Sequence, residues 1–467
     1  MEHSKSNFDR RKFLRSSALV GAFLGLPGAA VFGKADLDTS LEMISANRPS
    51  YGTSVIGLKT DPIEQVKVAF IGVGNRGSGH VRQMTALHPK ATITAICDIR
   101  DEYAQKSVDF AKEKGQNPKK YSGKKNAWKK MVKRDDIDLV IICTPWEDHV
   151  PMCVYAMQQG KHVAVEVPAA YTVEDCWKLV DTAEETQRNC MMLENVCYGN
   201  EELTLLQMVD QGFFGTLTHG EAAYIHDLRE SMFSKTGYYD QWRIRHHVKY
   251  DGNLYPTHGL GPVAQYMGIN RGDRFGHLVS MSSLEANLSE YGKTVEPDNT
   301  FYNHTNFKHG DMNTTLIQTA KGRSIMVQND VASPRVYSRI NALSGTKAYH
   351  EGYPSRLSLN GKHDWLTETE RTEIFEKYKH PIWNTLKEEI AENGGHGGMD
   401  FVMLYRLIDC YNQGIMLDQD VYDAADWSVV TPLSGISIQT GNAPVKFPDF
   451  TRGKWEEERQ LGIMANV

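Results

Sequence analysis

Between residues 66 and 200, short apolar runs alternate with amphipathic stretches. Val66-Lys67-Val68-Ala69-Phe70-Ile71 reads as a buried strand, and Thr92–Cys97, Asp138–Ile142, His162–Glu166 and Met191–Asn195 read as further strands. Between them His80–Leu87, Glu102–Lys114, Ala127–Val132, Pro151–Gln159 and Val173–Thr186 carry the spacing of amphipathic helices. The run Asp138-Leu139-Val140-Ile141-Ile142-Cys143-Thr144-Pro145 is apolar and β-branched without alternation, which predicts a strand covered on both faces. Strands alternating with helices predict an α/β unit with a parallel sheet. From about residue 217 the pattern changes to alternating strands such as Thr218–Ile225, Leu278–Ser283 and Ser324–Gln328. Residues 36–65 are polar and mixed, and predict a lead-in that wraps the surface. The pattern therefore divides the folded chain into residues 66–200 and 201–467.

The first strand runs directly into Gly72-Val73-Gly74-Asn75-Arg76-Gly77, and the second ends in Asp98, 21 residues beyond Gly77. A Gly-x-Gly-x-x-Gly set between strand and helix, with an acid about 20 residues on, is the fingerprint of a Rossmann dinucleotide site. Gly72 and Gly74 allow the tight turn and the approach of backbone to a pyrophosphate, whose charge the helix N-terminus stabilises. An aspartate at 98 accepts hydrogen bonds from ribose hydroxyls and favours NAD over NADP, with Arg100 close by as the competing feature.

The first 35 residues predict no part of the fold. Asp9-Arg10-Arg11-Lys12-Phe13-Leu14-Arg15 precedes a mostly apolar run to Leu26 and then Pro27-Gly28-Ala29-Ala30, the pattern of a twin-arginine export signal. The run is shorter than the roughly 20 residues that span a bilayer, so no stable membrane span is expected. Removing residues 1–30 takes away five basic and two acidic residues, moving the net charge from -6 to -9. An acidic chain offers no general attraction to nucleic acid. Seven cysteines without a Cys-x-x-Cys pair indicate neither a disulfide scaffold nor a zinc ribbon.

In the second half, polar aromatic residues cluster: Tyr224-Ile225-His226-Asp227-Leu228-Arg229, Trp242-Arg243-Ile244-Arg245-His246-His247, Asn253-Leu254-Tyr255-Pro256-Thr257-His258-Gly259 and Pro334-Arg335-Val336-Tyr337. Donors, acceptors and flat apolar faces together suit a sugar. No histidine spacing matches a metal motif, so no metal is expected. Trp242, His246 and His247, taken singly, read as readily as packing or solvated residues as they do as functional ones.

The order Gly72–Gly77, Cys97-Asp98, Cys143-Thr144-Pro145 with His149, and Gly160-Lys161-His162-Val163 before Glu166-Val167-Pro168 resembles the Gfo/Idh/MocA oxidoreductase superfamily. That resemblance implies a nucleotide-binding domain followed by a domain built on a large open, mostly antiparallel sheet, which commonly mediates dimerisation. Its dehydrogenases usually read Glu-Lys-Pro, and Val167 in the middle position cannot supply the lysine's proton. Leu193-Glu194-Asn195-Val196-Cys197-Tyr198, His226–Arg229, Leu254–Gly259, Gly395-His396-Gly397-Gly398-Met399-Asp400 and Pro448-Asp449-Phe450 narrow the resemblance to family 109 of the glycoside hydrolases, NAD-dependent α-N-acetylgalactosaminidases.

Carried over by position, the resemblance implies tightly bound NAD held by Gly72, Gly74, Asn75, Arg76, Gly77, Asp98, Trp146, Glu147, Asp148, His149, Glu166, Val167, Asn195 and Tyr255. It implies sugar contacts from Tyr224, Arg243, Tyr255, Pro256, Thr257, His258 and Tyr337. Oxidation at C3 acidifies the C2 hydrogen, the aglycone leaves by elimination, water adds and the hydride returns. Tyr224 and His258 are the candidate proton-transfer residues, and no pair of catalytic carboxylates is required. The alternatives are a net sugar oxidoreductase and a non-catalytic sugar-binding protein with structural NAD. Export by the twin-arginine machinery as a folded, cofactor-loaded protein to the periplasm or beyond suits a redox-neutral cycle.

Overall fold

The computed structural model describes residues 41–46 and 48–465. The expected export signal lies outside the described residues. Two sheets organise the rest. The first has six parallel strands, β1 (Val66–Ile71), β2 (Ala91–Asp98), β3 (Lys119–Ser122), β4 (Leu139–Ile142), β5 (His162–Val165) and β6 (Cys190–Met192). Their order is β3-β2-β1-β4-β5-β6, the doubly wound nucleotide-binding arrangement. Val68 to Ile71 pair with Leu139 to Ile142 between central strands, all buried, which is why both segments read as unbroken apolar runs.

Five helices cover this sheet: α1 (Asn75–Ala86), α2 (Asp101–Glu113), α3 (Ala127–Val132), α4 (Trp146–Gln158) and α5 (Val173–Thr186). Several elements differ from the sequence reading: helix α1 starts at Asn75, not His80, and β6 ends at Met192, not Asn195. Helix α4 begins at Trp146, not Pro151, so residues 146–149 form its first turn rather than a loop; Pro145 is the N-cap and Pro151 lies inside. Proline is favoured at the first helical position, which is what made Pro151 look like the start. Edge strand β3 has the sequence Lys-Lys-Tyr-Ser with no buried residue, so no hydrophobic pattern announced it.

Helix α6 (Asn200–Asp210) leads to the second sheet, with β7 (Leu217–Ile225), β8 (Phe275–Ser282), β9 (Asn313–Thr319), β10 (Ser324–Asp330), β11 (Ala342–Gly345), β12 (Ala348–Glu351), β13 (Arg356–Leu359) and β14 (Val445–Lys446). The order is β13-β12-β11-β7-β10-β9-β8-β14, and β7 with β10 is the parallel pair in an otherwise antiparallel sheet. Helices α7 (Trp242–Lys249) and α8 (Thr257–Tyr266) follow β7. Helix α8 lies so close to β7 that a Cβ on Gly259 would stand 2.3 Å from the Ala223 nitrogen. On the far face Met281 and Leu316 stay exposed, at 62% and 53%.

The C-terminal part joins the two sheets. Helix α9 (Met399–Gln413) packs against α1, and α10 (Val421–Gln439) packs against both α5 and β8. Asp420 caps α10 by accepting from the Tyr422 and Asp423 amides. Ser428 on α10 accepts from the Ala169 amide at 3.1 Å, and Arg452 pairs with Asp181 and Glu184 of α5. The lead-in is partly internal: Val55 is buried and its amide donates to the Tyr422 hydroxyl. Among the described residues no helix is long and apolar enough to cross a membrane.

Candidate active site

The carboxyl ends of β1, β2, β4, β5 and β6 bring Gly72–Gly77, Asp98, Trp146, Glu166, Val167 and Asn195 to one edge. Gly72 has φ +82, and a Cβ on it would stand 2.7 Å from the Cys143 carbonyl oxygen. A Cβ on Gly77 would meet the Gly72 oxygen at 2.0 Å, so both positions require glycine. Gly74 is the N-cap of α1 with no side-chain cap, leaving the first-turn amides for another acceptor. Asp98 accepts from the Val73 amide at 2.8 Å and the Arg100 amide at 2.9 Å, which ties the glycine turn to the end of β2. The Arg100 guanidinium lies over Tyr103 at 3.4 Å.

Arg76 is the hub of a buried ion network. Its Nε donates to Glu166 at 2.8 Å and its two Nη atoms grip Asp400 at 2.7 and 2.9 Å. Asn195 Nδ2 donates to the same Asp400 at 2.6 Å, and His80 Nε2 donates to Glu166 at 2.6 Å. Burial opposes charge on Arg76, but Glu166 and Asp400 overcome it and hold its pKa well above the ordinary value. Burial would likewise raise Glu166; the charge of Arg76 and the hydrogen bond from His80 hold it far below the carboxylate range. His80, Cys143 and Glu166 offer ligand atoms within 4.8 Å of one another. A guanidinium already on Glu166 and a thiol kept protonated by burial argue against a cation there.

The Trp146–His149 turn divides its side chains. Trp146 is buried, donates from Nε1 to the Val167 carbonyl at 3.2 Å and stacks on Tyr255 with ring centres 5.9 Å apart. Glu147 reaches His246 at 3.1 Å, while Asp148 is half-buried and raised by burial and by Glu147. His149 faces inward, with both ring nitrogens 2.9 Å from the carbonyls of Thr144 and Pro168, so it braces the turn. Val167 is buried.

Beyond Tyr255 the second sheet contributes an aromatic chamber. Tyr224, near the end of β7, lies 4.7 Å from Tyr255, 5.3 Å from His258 and 6.4 Å from Tyr337 between ring centres. The Arg243 guanidinium sits 4.7 Å over Tyr255 and 5.3 Å over Trp146. Pro256 caps α8, which presents Thr257, fully buried, and His258 in its first turn. Burial pushes the phenols of Tyr224 and Tyr255 well above their usual range. Trp242 and His246 pack edge-on and tilted against Trp146, whereas His247 meets His309 edge-on.

Three residues at this site carried no individual sequence signal. Glu194, wholly buried, accepts from His258 Nδ1 at 2.7 Å, leaving Nε2 of a 15% exposed imidazole free for a ligand. Asp400 closes the Arg76 network. His396 stands on a strap in which Gly395, His396, Gly397 and Gly398 all have positive φ. Its side chain is 61% exposed, donates to Asp400 at 2.7 Å and is close enough for its charge to act on His226. The Gly-His-Gly-Gly run was the available signal for the strap, since only a glycine-rich segment adopts that backbone cheaply.

Residues 198–457 match the glycosyl hydrolase 109 C-terminal domain. The chain belongs to glycosyl hydrolase family 109. Residues 66–194 match the oxidoreductase family with an NAD-binding Rossmann fold. The chain is 48% identical to an α-N-acetylgalactosaminidase of Shewanella oneidensis, over 98% of this chain and 99% of that one. It is 47% identical to a glycosyl hydrolase family 109 protein of Shewanella pealeana over the same shares. Among solved structures, a levoglucosan dehydrogenase in complex with NADH and levoglucosan superposes with a TM-score of 0.62 at 18% identity, covering 82% of this chain and 99% of that one. An inositol dehydrogenase homologue from Azotobacter vinelandii with NAD+ gives 0.62 at 16%, covering 83% and 99%. These two speak for the fold alone.

Proposed function

We propose that the protein hydrolyses terminal α-N-acetylgalactosaminides with NAD as a bound, recycled cofactor. The observation that carries this reading is the junction itself: the Trp146–Tyr255 stack joins the dinucleotide edge to a chamber holding Tyr224 and the Glu194-backed His258. The residues fit the cofactor. The uncapped α1 N-terminus and the close-packed Gly72 and Gly77 make a pyrophosphate cradle, and Asn195 Oδ1 is buried without a partner, an acceptor awaiting a donor. When bound, the nicotinamide supplies a reversible hydride acceptor. Gly72–Gly77 and Asp98 would hold the dinucleotide, with Glu166, Asn195, Trp146 and Tyr255 as further residues that would contact it.

Tyr255, Tyr337 and Arg243 orient the sugar. Tyr224 exchanges the proton of the hydroxyl that becomes a ketone, and His258 Nε2 removes the proton from the adjacent carbon while Glu194 stabilises the imidazolium. His396, exposed on its strap and hydrogen-bonded to Asp400, is the candidate to protonate the leaving oxygen. Val167 supplies no proton donor, which favours the redox-neutral cycle over net dehydrogenation. Purified protein given a chromogenic α-N-acetylgalactosaminide and no added NAD is expected to release aglycone without net nicotinamide reduction; steady reduction on free sugar would sink the reading.

The same proposal places the mature protein outside the cytoplasm by the twin-arginine route, loaded before export. Replacing Arg10-Arg11 with two lysines is expected to strand the precursor inside. The apolar far face with Met281 and Leu316 suits a homodimer, which Leu316→Asp is expected to dissociate in sedimentation.

A further inference from the structure

A second imidazole besides His258 reaches Tyr224. The Tyr224 hydroxyl lies 2.9 Å from Nδ1 of His226, two residues further along the same segment, while the rings meet edge-on at 5.6 Å. Side chains two apart on a strand share a face, so the end of β7 itself delivers both groups to the chamber. The two histidines around the phenol are differently supported. His258 has the buried Glu194 on its Nδ1. The neighbouring acid of His226, Asp227, is committed to Arg229 through paired contacts at 2.9 and 2.7 Å.

The groups that act on His226 are Arg243 from α7, His258 from α8, His396 from the glycine strap and Asp227 beside it. Burial comes first and the Arg243 guanidinium next, and together they outweigh Asp227, so the His226 pKa is held below its ordinary value. A neutral ring that accepts from the phenol on Nδ1 carries its hydrogen on Nε2. His226 is only half-buried, whereas Tyr224 is closed off.

We propose that Tyr224 and His226 form a two-member proton relay for the redox half-steps. The substrate O–H bond breaks as its proton passes to the Tyr224 oxygen, the phenol O–H breaks as that proton passes to His226 Nδ1, and the hydride leaves the same carbon with its electron pair for the cofactor. The sugar loses one hydride and one proton, His226 becomes an imidazolium, and Tyr224 ends as it began. Both transfers reverse when the ketone is reduced. The phenolate never has to persist in a site whose burial opposes it, which is what the relay supplies and Tyr224 alone does not. This role rests on the NAD-dependent reading given above; His226 acts through Tyr224 and is a positioning residue with a proton-carrying function.

The test uses the NAD-loaded protein in four forms: wild type, Tyr224→Phe, His226→Gln and His226→Gly. Retained nicotinamide and an unchanged melting temperature establish that each is folded and loaded. His226→Gln is expected to lose about a hundredfold in turnover with KM changed less than threefold. The acid limb of its pH profile should become less steep, because the relay requires neutral His226 while His258 still acts as the base at carbon. His226→Gly is expected to regain turnover with added imidazole, and more with substituted imidazoles of higher pKa, a response that a packing defect would not give. Nitrogen NMR of labelled histidines, without substrate, should show the His226 Nδ1 resonance move in Tyr224→Phe. An active wild type with an equally active His226→Gln, or an Nδ1 resonance indifferent to Tyr224→Phe, overturns the relay alone. A wild type that neither cleaves the glycoside nor reduces its nicotinamide transiently overturns both readings.

Discussion

Removing the charge of Glu194 isolates what that carboxylate does for His258. In Glu194→Gln one oxygen is kept: Oε1 of Glu194 accepts from both the Val196 amide, at 3.2 Å, and His258 Nδ1, at 2.7 Å. The glutamine oxygen serves both donors, so the turn after β6 and the tautomer of His258 are preserved and the negative charge is lost. A neutral imidazole gives up little. An imidazolium loses a unit charge whose centre lies about 4 Å away, worth about 4 kcal/mol at an effective dielectric of 20. At 1.36 kcal/mol per decade this is about a thousandfold, falling on kcat if His258 gains its proton in the rate-limiting step. The assay is kcat and KM on a chromogenic α-N-acetylgalactosaminide, with NAD content per protein measured in parallel. A loaded variant within threefold of wild type would refute the assignment of His258 as the group that charges.

Three further outcomes follow from the geometry. Asp400→Ala leaves Arg76 and the Asn195 amide without their shared acceptor; removing one partner of a buried pair costs about 3 kcal/mol, visible in urea unfolding together with loss of retained NAD. Gly77→Ala drives a Cβ into the Gly72 carbonyl and is expected to cost about 3 kcal/mol or more and abolish NAD retention, whereas Gly79→Ala in the same helix meets open space and is expected to be neutral or slightly stabilising. Glu201 is pushed up to about 7 by burial and the like charge of Glu202. The folded state therefore holds a proton that the unfolded chain releases near its ordinary value, so stability falls as pH rises from about 4.5 to 7. Glu201→Gln should flatten that slope and add up to about 3 kcal/mol at neutral pH, read from denaturation midpoints across the window.

The legibility of the fold followed the physics of each element. Strands β1 and β4 are central and covered on both faces, so burial wrote an unbroken apolar run into the chain. Edge strand β3 buries nothing and left no such mark. The start of α4 at Trp146 was hidden because a proline five positions on imitates a helix start, and because the turn serves the site: Trp146 braces Tyr255 and His149 holds two carbonyls.

For the site, the residues whose chemistry demands a fixed local pattern were readable in one dimension. Gly72 and Gly77 are dictated by backbone collisions within a single strand, turn and helix, Asp98 by its distance along that unit, and Tyr255–His258 by a turn that starts a helix. The partners were not. Glu194 and His258 are 64 residues apart, and Arg76 and Asp400 are 324 apart. Nothing local distinguishes a glutamate that backs an imidazole from one that faces water, because the difference is the burial imposed by distant segments. Taken alone, the amino-acid order determined that a dinucleotide edge and a set of clustered ring-bearing side chains exist. Only the tertiary structure decided which acid backs which histidine, that a C-terminal strap closes the Arg76 network, and that one phenol meets two differently supported imidazoles, since each depends on groups that meet only after both sheets are packed.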